Sequence, residues 1–287
     1  MSAPEVGKVG IWSMEMRFRD NDKGNALAAE LDEMGYGTLW IPGLIDDAVL
    51  GVVDRLLSVT NNITIATGIL NLWKHEPKDV ADWFEALPDS QKSRVMLGIG
   101  ISHGPLIGEN WGKPMAKTRE FLDGLKAAGM EMDNTCLAAL GPKMLALSGE
   151  RTAGAHPYLV TPEHTAQARE ILGPGKLLMP EQGVVFGDDP AKIREIAEAG
   201  LSNYLALPNY RNNWLRLGLT EEDIETVSDR LIDSMFATGS ASDMAGRVQA
   251  HHDAGADHVC IQIVSGAKIG DIDALRPHYR SLADAML

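Results

Sequence analysis

Two hydrophobic signatures alternate along the chain. Short runs of consecutive apolar, often β-branched residues are separated by stretches in which apolar residues recur every three or four positions. Runs without regular polar interruption suit strands buried on both faces, as in a parallel sheet covered by helices. Residues 9–13 form the first run, and a helical stretch over 25–34 follows it, stopped by Gly35. Residues 38–41 are the second, ended by Pro42 and Gly43, with Asp46 or Asp47 placed to cap the next helix. Residues 63–70 are the third; the helix after it opens at Pro77 and carries Val80, Trp83, Phe84 and Leu87 on one face. Residues 95–101 are the fourth, before a helix over 115–128. The fifth and sixth strands are predicted at 144–147 and 156–160, and Thr161-Pro162-Glu163 opens a helix that ends at Gly173. Residues 177–186 hold the seventh, with Asp188 or Asp189 capping a helix through Ala199. Residues 258–264 are the eighth, followed by a helix from Asp271.

Eight strand–helix units without a long polar linker predict an α/β fold, a closed parallel (β/α)₈ TIM barrel. The chain length of 287 residues fits one such domain over 1–287. The one long departure is an insertion between the seventh and eighth strands, about 201–238, with its own helix near 220–235. In such a barrel the chemistry sits at the C-terminal ends of the strands and in the loops that follow.

Composition narrows the partners. The 26 Lys and Arg against 40 Asp and Glu give a formal charge of -14, which disfavours nucleic acid and anionic membrane. Cys136 and Cys260 are far apart and in apolar company, which reads as a reducing, cytoplasmic setting. Residues 1–8 lack the pattern of a signal peptide, and no apolar run approaches the roughly 18 residues of a membrane span.

Several loops offer chemistry. Gly68, at the inner end of the third strand, suits either a close backbone approach to a ligand or a plain barrel corner. Ser148, Gly149, Glu150 and Arg151 follow the predicted fifth strand and would open a helix. They read either as an anion seat of free amides, hydroxyl and arginine, or as an ordinary helix start with Arg151 paired nearby. In the insert, Arg211 and Arg216 are interleaved with Tyr210, Trp214 and two Asn. This suits a grip on an anionic, partly planar ligand, or simple packing of the insert on the barrel. His103 and His75 stand in productive loops for acid or base work, whereas His251 and His252 read as solvated helix residues. Only His75, His103, Glu15 and Glu109 could converge on a metal, and no spacing supports it, so no metal is expected. No lysine ends a strand for a Schiff base, and GxSxG and Walker patterns are missing.

Residues 180–186 (PEQGVVF), 204–218 (YLALPNYRNNWLRLG) and 254–262 (AGADHVCIQ), with the less specific 97–100 (LGIG), resemble the luciferase-like flavin and deazaflavin oxidoreductases. The likeness runs over nearly the whole chain and is greatest to the branch of F420-dependent oxidoreductases. It implies a barrel whose mouth holds the ring of coenzyme F420, or of FMN. By position, Gly68 and Ile69 match the point where relatives place a non-proline cis peptide behind the ring, with Leu70 next to it. Ser148 to Arg151 match the turn that holds the cofactor phosphate, Arg211 or Arg216 is a candidate for the acidic tail, and His103 matches a proposed proton donor. One departure stands out: the Asp-His pair that ends the second strand in many deazaflavin relatives is here Gly43 and Leu44.

The resemblance therefore implies an oxidoreductase that moves a hydride between F420 and a small organic substrate, with His103 handling the proton, and a homodimer. Two alternatives remain open. One is an FMN-dependent monooxygenase using oxygen and a separate reductase. The other is a flavin- or deazaflavin-binding protein without turnover, suggested by the missing Asp-His pair.

Overall fold

The computed structural model describes residues 3–266 and 269–287; Met1 and Ser2, part of the segment read for a signal peptide, lie outside them. The strands are β1 Val9–Trp12, β2 Thr38–Ile41, β3 Thr64–Thr67, β4 Leu70–Asn71, β5 Val95–Gly100 and β6 Thr135–Leu137. They continue as β7 Gly154–Ala155, β8 Leu177–Leu178, β9 Glu181–Phe186, β10 Phe236–Gly239 and β11 Val259–Ile263. Their registered pairings are all parallel, in the order β10-β9-β11-β1-β2-β3-β5-β6-β7-β8, with β4 on β5.

One stretch of chain closes the ring. β8 pairs with β7, and β9, only two residues further on, pairs with β11. Pro180 interrupts the run because it has no N–H for a ladder bond, although its carbonyl still accepts from the Cys260 amide at 2.9 Å. The predicted seventh strand is thus one run with a change of partner in its middle.

Successive residues of the strands face opposite ways. Ile11, Leu39, Ile41, Ile65, Val95, Leu97 and Ile99 belong to the main core between sheet and helices. Trp12, Trp40, Ala66, Met96, Cys136, Met179 and Cys260 fill the barrel interior as a separate cluster. A tryptophan as large as Trp40 fits there because its neighbours are small. A Cβ on Gly98 would lie 3.3 Å from the Trp40 ring and collide with the carbonyl of Thr67. Trp40 donates its indole N–H to His258 Nε2 at 3.1 Å and stacks on His156 at 4.0 Å.

Helix boundaries follow the chemistry of their ends. Gly35 closes the Asn21–Met34 helix at φ +92°, a left-handed conformation that costs glycine little. Thr161 caps the Pro162–Leu172 helix, and Asp189 caps the Pro190–Leu201 helix by accepting from two first-turn amides.

Four expectations need correction. The fifth strand is Thr135–Leu137, and residues 144–147 lie inside the Pro142–Arg151 helix. Met-Leu-Ala-Leu contains no β-branched residue and follows a proline at the first turn, so helix propensity prevails. The sixth strand is only Gly154–Ala155, since Pro157 and the positive φ of Leu159 (52°) take residues 156–160 out of the ladder. The insert holds three helices, Pro208–Arg216, Glu221–Glu225 and Asp229–Met235. The expected helix over 220–235 is split at Val227 (φ 47°), after which Ser228 caps the new start. Finally, His251 is fully buried rather than solvated: its Nε2–H donates to Gln182 Oε1 at 3.0 Å, and its Nδ1 accepts from the Thr165 hydroxyl at 2.8 Å.

Candidate active site

The carboxyl ends of the strands open on one mouth, and the loop after β3 forms part of its floor. Gly68 and Ile69 are half-exposed between the fully buried Thr67 and Leu70, and the peptide joining them is cis. The Gly43 amide donates to the Ile69 carbonyl at 3.0 Å, and the Gly68 amide donates to the Ile41 carbonyl at 2.8 Å. The Ile69 side chain occupies the space over Gly100, where a Cβ would meet it at 2.7 Å. Leu70 does not share this position: its side chain points into the helix-facing core.

From Gly68 a continuous wall of rings leads around the mouth. Trp12 donates its indole N–H to the Gly68 carbonyl, and its ring lies 5.8 Å from that of Tyr158. Tyr158 is 5.6 Å from Tyr204 and 6.5 Å from Tyr210, and Tyr210 is 5.7 Å from the His103 ring. Hydrogen bonds join the phenols: Tyr158 donates to Gln262 Oε1 at 2.6 Å and accepts from the Tyr204 hydroxyl at 3.3 Å. Burial raises the pKa of all three tyrosines, which keeps them neutral donors.

The wall depends on the insert. Trp214 is fully buried, its ring 5.9 Å from Tyr210, and it belongs to a core shared by the insert, Leu159 and Val185. Packing the insert on the barrel is therefore the role of Trp214. Arg211, the residue after the wall tyrosine Tyr210, spends its guanidinium on the Leu205 carbonyl and the Glu221 carboxylate.

His103 is half-buried at the start of the Gly104–Ile107 turn. Burial lowers its pKa, and a hydrogen bond to the Asn209 side chain works in the other direction. Deeper inside, Glu181 is buried with its Oε2 accepting from the Leu159 amide at 3.0 Å; desolvation lifts its pKa to about 8, so the carboxyl is neutral at pH 7. His156 donates from Nδ1 to the Met179 carbonyl at 2.7 Å, and burial lowers its pKa to about 4.

Ser148 to Arg151 are not part of this arrangement. They are the last turn of the Pro142–Arg151 helix, where carbonyls rather than free amides point outward. Ser148 is fully buried and bonds to the Gly154 carbonyl, Arg151 pairs with Asp123 at 2.5 Å, and Glu150 lies 3.7 Å from Arg119. The anion seat inferred there presumed a strand at 144–147, and it falls with that strand. The helix start at this loop is Gly141-Pro142-Lys143, and Arg216 Nη2 lies 3.8 Å from where a Cβ on Gly141 would stand.

Tyr158, Tyr204, Gln262 and Glu181 escaped sequence reasoning as site residues. Glu181, Tyr204 and Gln262 lie in the stretches that carry the family resemblance, and Tyr158 and Gln262 in segments read as the sixth and eighth strands, but nothing in those stretches marked them individually. Among the described residues no cluster of three or more His, Cys, Asp or Glu is arranged to hold a metal. No described helix is long and apolar enough to cross a membrane.

Solved structures share this architecture from end to end. An F420-dependent secondary alcohol dehydrogenase, in complex with an F420–acetone adduct, superposes with a TM-score of 0.74 at 12% identity, covering 98% of each chain. The coenzyme F420-dependent tetrahydromethanopterin reductase from Methanopyrus kandleri gives 0.76 at 14% identity, again with 98% of each chain covered. The oxygenating constituent of 3,6-diketocamphane monooxygenase from Pseudomonas putida, in complex with FMN, gives 0.67 at 15% identity over 97% of this chain and 96% of that one. A family model described as luciferase-like monooxygenase matches residues 20–258. With most of the chain matched, this protein belongs to the luciferase-like monooxygenase family.

Proposed function

We propose that the protein is an oxidoreductase that moves a hydride between coenzyme F420 and a small organic substrate at the barrel mouth. The observation that carries this reading is the unbroken wall from Gly68 through Trp12, Tyr158 and Tyr210 to His103. It combines flat apolar faces with neutral hydroxyl donors, which suits a planar ring bearing polar edges. The half-exposed Gly68 and Ile69 leave backbone and one aliphatic side chain, rather than bulk, at the floor.

F420, when bound, supplies the hydride chemistry through its deazaflavin ring. The chain's own contribution is placement and proton handling. Trp12, Ile69 and Tyr158 would hold the ring, and Gln262 would fix the Tyr158 hydroxyl. His103 Nδ1 or Nε2 would release or take the proton that accompanies reduction or oxidation of the substrate. Its lowered pKa makes the neutral imidazole the resting form near pH 7, which favours the direction in which the substrate loses a proton. With Gly43 and Leu44 in place of the Asp-His pair, the proton role falls to His103, whose ring lies 5.7 Å from that of Tyr210.

A second reading, an FMN-dependent monooxygenase, is supported by the likeness to the FMN-bound Pseudomonas putida enzyme. Absorbance and fluorescence titrations with F420 and FMN separately decide between them. Saturable binding of F420 with none of FMN is expected; the opposite outcome overturns the proposal.

A further inference from the structure

A cavity of about 250 Å³ lies on the rim, lined by Leu72, Trp73, Lys74, His75, Glu76, Ile107 and Lys117. Three elements build it. The loop after β4 supplies Trp73 to Glu76, the segment after β5 supplies Ile107, and the first turn of the Pro114–Ala127 helix supplies Lys117. Trp73 is fixed by its indole N–H, which donates to the Ile101 carbonyl at 2.8 Å, and by the Trp111 ring 6.0 Å away.

The donors in this cavity are only partly spent. Lys74 forms no ion pair among the described residues, and Lys117 lies 5.8 Å from the Trp73 ring centroid with only the exposed Glu120 at 3.3 Å. The buried Nε2 of His75 has no hydrogen-bond partner, although a buried polar atom without one is costly. Below the cavity the Pro77–Ala86 helix begins, and Glu76 at its N-cap makes no side-chain bond to the first-turn amides, so that positive helix end is uncapped as well. Glu76 is the one lining carboxylate, set against two ammonium groups. Beyond the lining, Asp46 and Asp47 act electrostatically on His75, and Glu120 pairs with Lys117.

We infer that this rim cavity is a binding site for a multi-oxygen anion, a carboxylate or phosphate group, seated between Lys74, Lys117 and His75 with the Trp73 ring as its wall. Trp73 bonds to the Ile101 carbonyl, next to Gly100, over which the Ile69 side chain lies, so the cavity adjoins the floor of the mouth, and an anion held here is the charged end of a molecule whose other end reaches it. The occupant we assign is an acidic substrate; the alternative source of the same chemistry is the acidic tail of the coenzyme. The substrate assignment rests on the function proposed above, whereas the anion site itself does not.

The test begins without coenzyme. Inorganic phosphate and succinate are titrated into the protein while the His75 imidazole resonances and tryptophan fluorescence are followed. Saturation is expected. The K74Q/K117Q double variant should weaken it at least about tenfold, the scale of losing charge-assisted hydrogen bonds. Glu76→Gln should tighten it, a gain that a purely structural effect would not produce. An absence of saturable change, or saturation unaltered in K74Q/K117Q, overturns the site. F420 and its deazaflavin head group without the acidic tail are then compared on both proteins. Unchanged affinity for both assigns the site to substrate. Selective weakening of the complete coenzyme keeps the anion site but overturns the substrate assignment.

Discussion

The indole N–H of Trp12 donates to the carbonyl oxygen of Gly68 at 3.1 Å, and the same indole nitrogen stands 2.6 Å from where a Cβ on Gly68 would be. The bond that fixes the ring wall to the floor therefore also forbids any side chain there.

Gly68→Ala should displace Trp12 and weaken binding of the ring, with an overpacking cost of about 1–3 kcal/mol. Thermal unfolding measures the stability loss, and coenzyme titration measures the affinity. Pairing it with Trp12→Phe, which removes the N–H and shrinks the ring, should recover part of the stability.

His103→Ala should lower turnover by about 10²–10⁴-fold if the imidazole handles the proton. Because burial lowers its pKa, oxidation of substrate should rise with pH through a value below that of a free imidazole, and reduction should fall over the same interval. Full turnover with an unaltered pH profile in the variant would rule the role out.

Stability should pass through a maximum near pH 6.5. His156 (pKa about 4), His251 and His258 (both about 3) are held neutral chiefly by burial. Their depressed values mean a contribution complete above the ordinary value of 6.5 and lost progressively as pH falls toward the folded values. Glu181 runs the other way: its pKa is raised from 4.5 to about 8, so its contribution is complete below 4.5 and lost as pH rises through 8. Denaturant unfolding between pH 4 and 9 measures the profile. Glu181→Gln should flatten the alkaline limb and leave the acid limb in place.

Arg151→Gln should leave coenzyme affinity unchanged, because Arg151 pairs with Asp123 in the helical layer, at the opposite end of its helix from the Gly141 start. A loss of affinity comparable with that of a mouth variant would contradict this placement.

The parts legible in sequence were those with a strong local code. Four of the first strands, the Pro77 and Thr161 helix starts and the Gly35 stop each depend on residues within a few positions of one another. The fifth and sixth strands were misplaced because the real ones are only three and two residues long, while the neighbouring Met-Leu-Ala-Leu segment is more apolar. That single error carried the anion-seat reading of Ser148–Arg151 with it, while their match to the cofactor-phosphate turn came from the resemblance. Gly68 and His103 were candidates because strand ends in a barrel point to the mouth, and Ile69 became one through the resemblance. The Tyr158–Tyr204–Gln262 wall could not, since it joins residues up to 104 positions apart through tertiary packing.

The burial of Trp214 beneath Tyr210 has a consequence for how substrate choice could evolve in this chain. The insert cannot swing away as a flap without exposing the core it shares with Leu159 and Val185. It is masonry rather than a door. Changes within its hydrophobic interior should reshape what the barrel admits, even at positions that never meet a ligand.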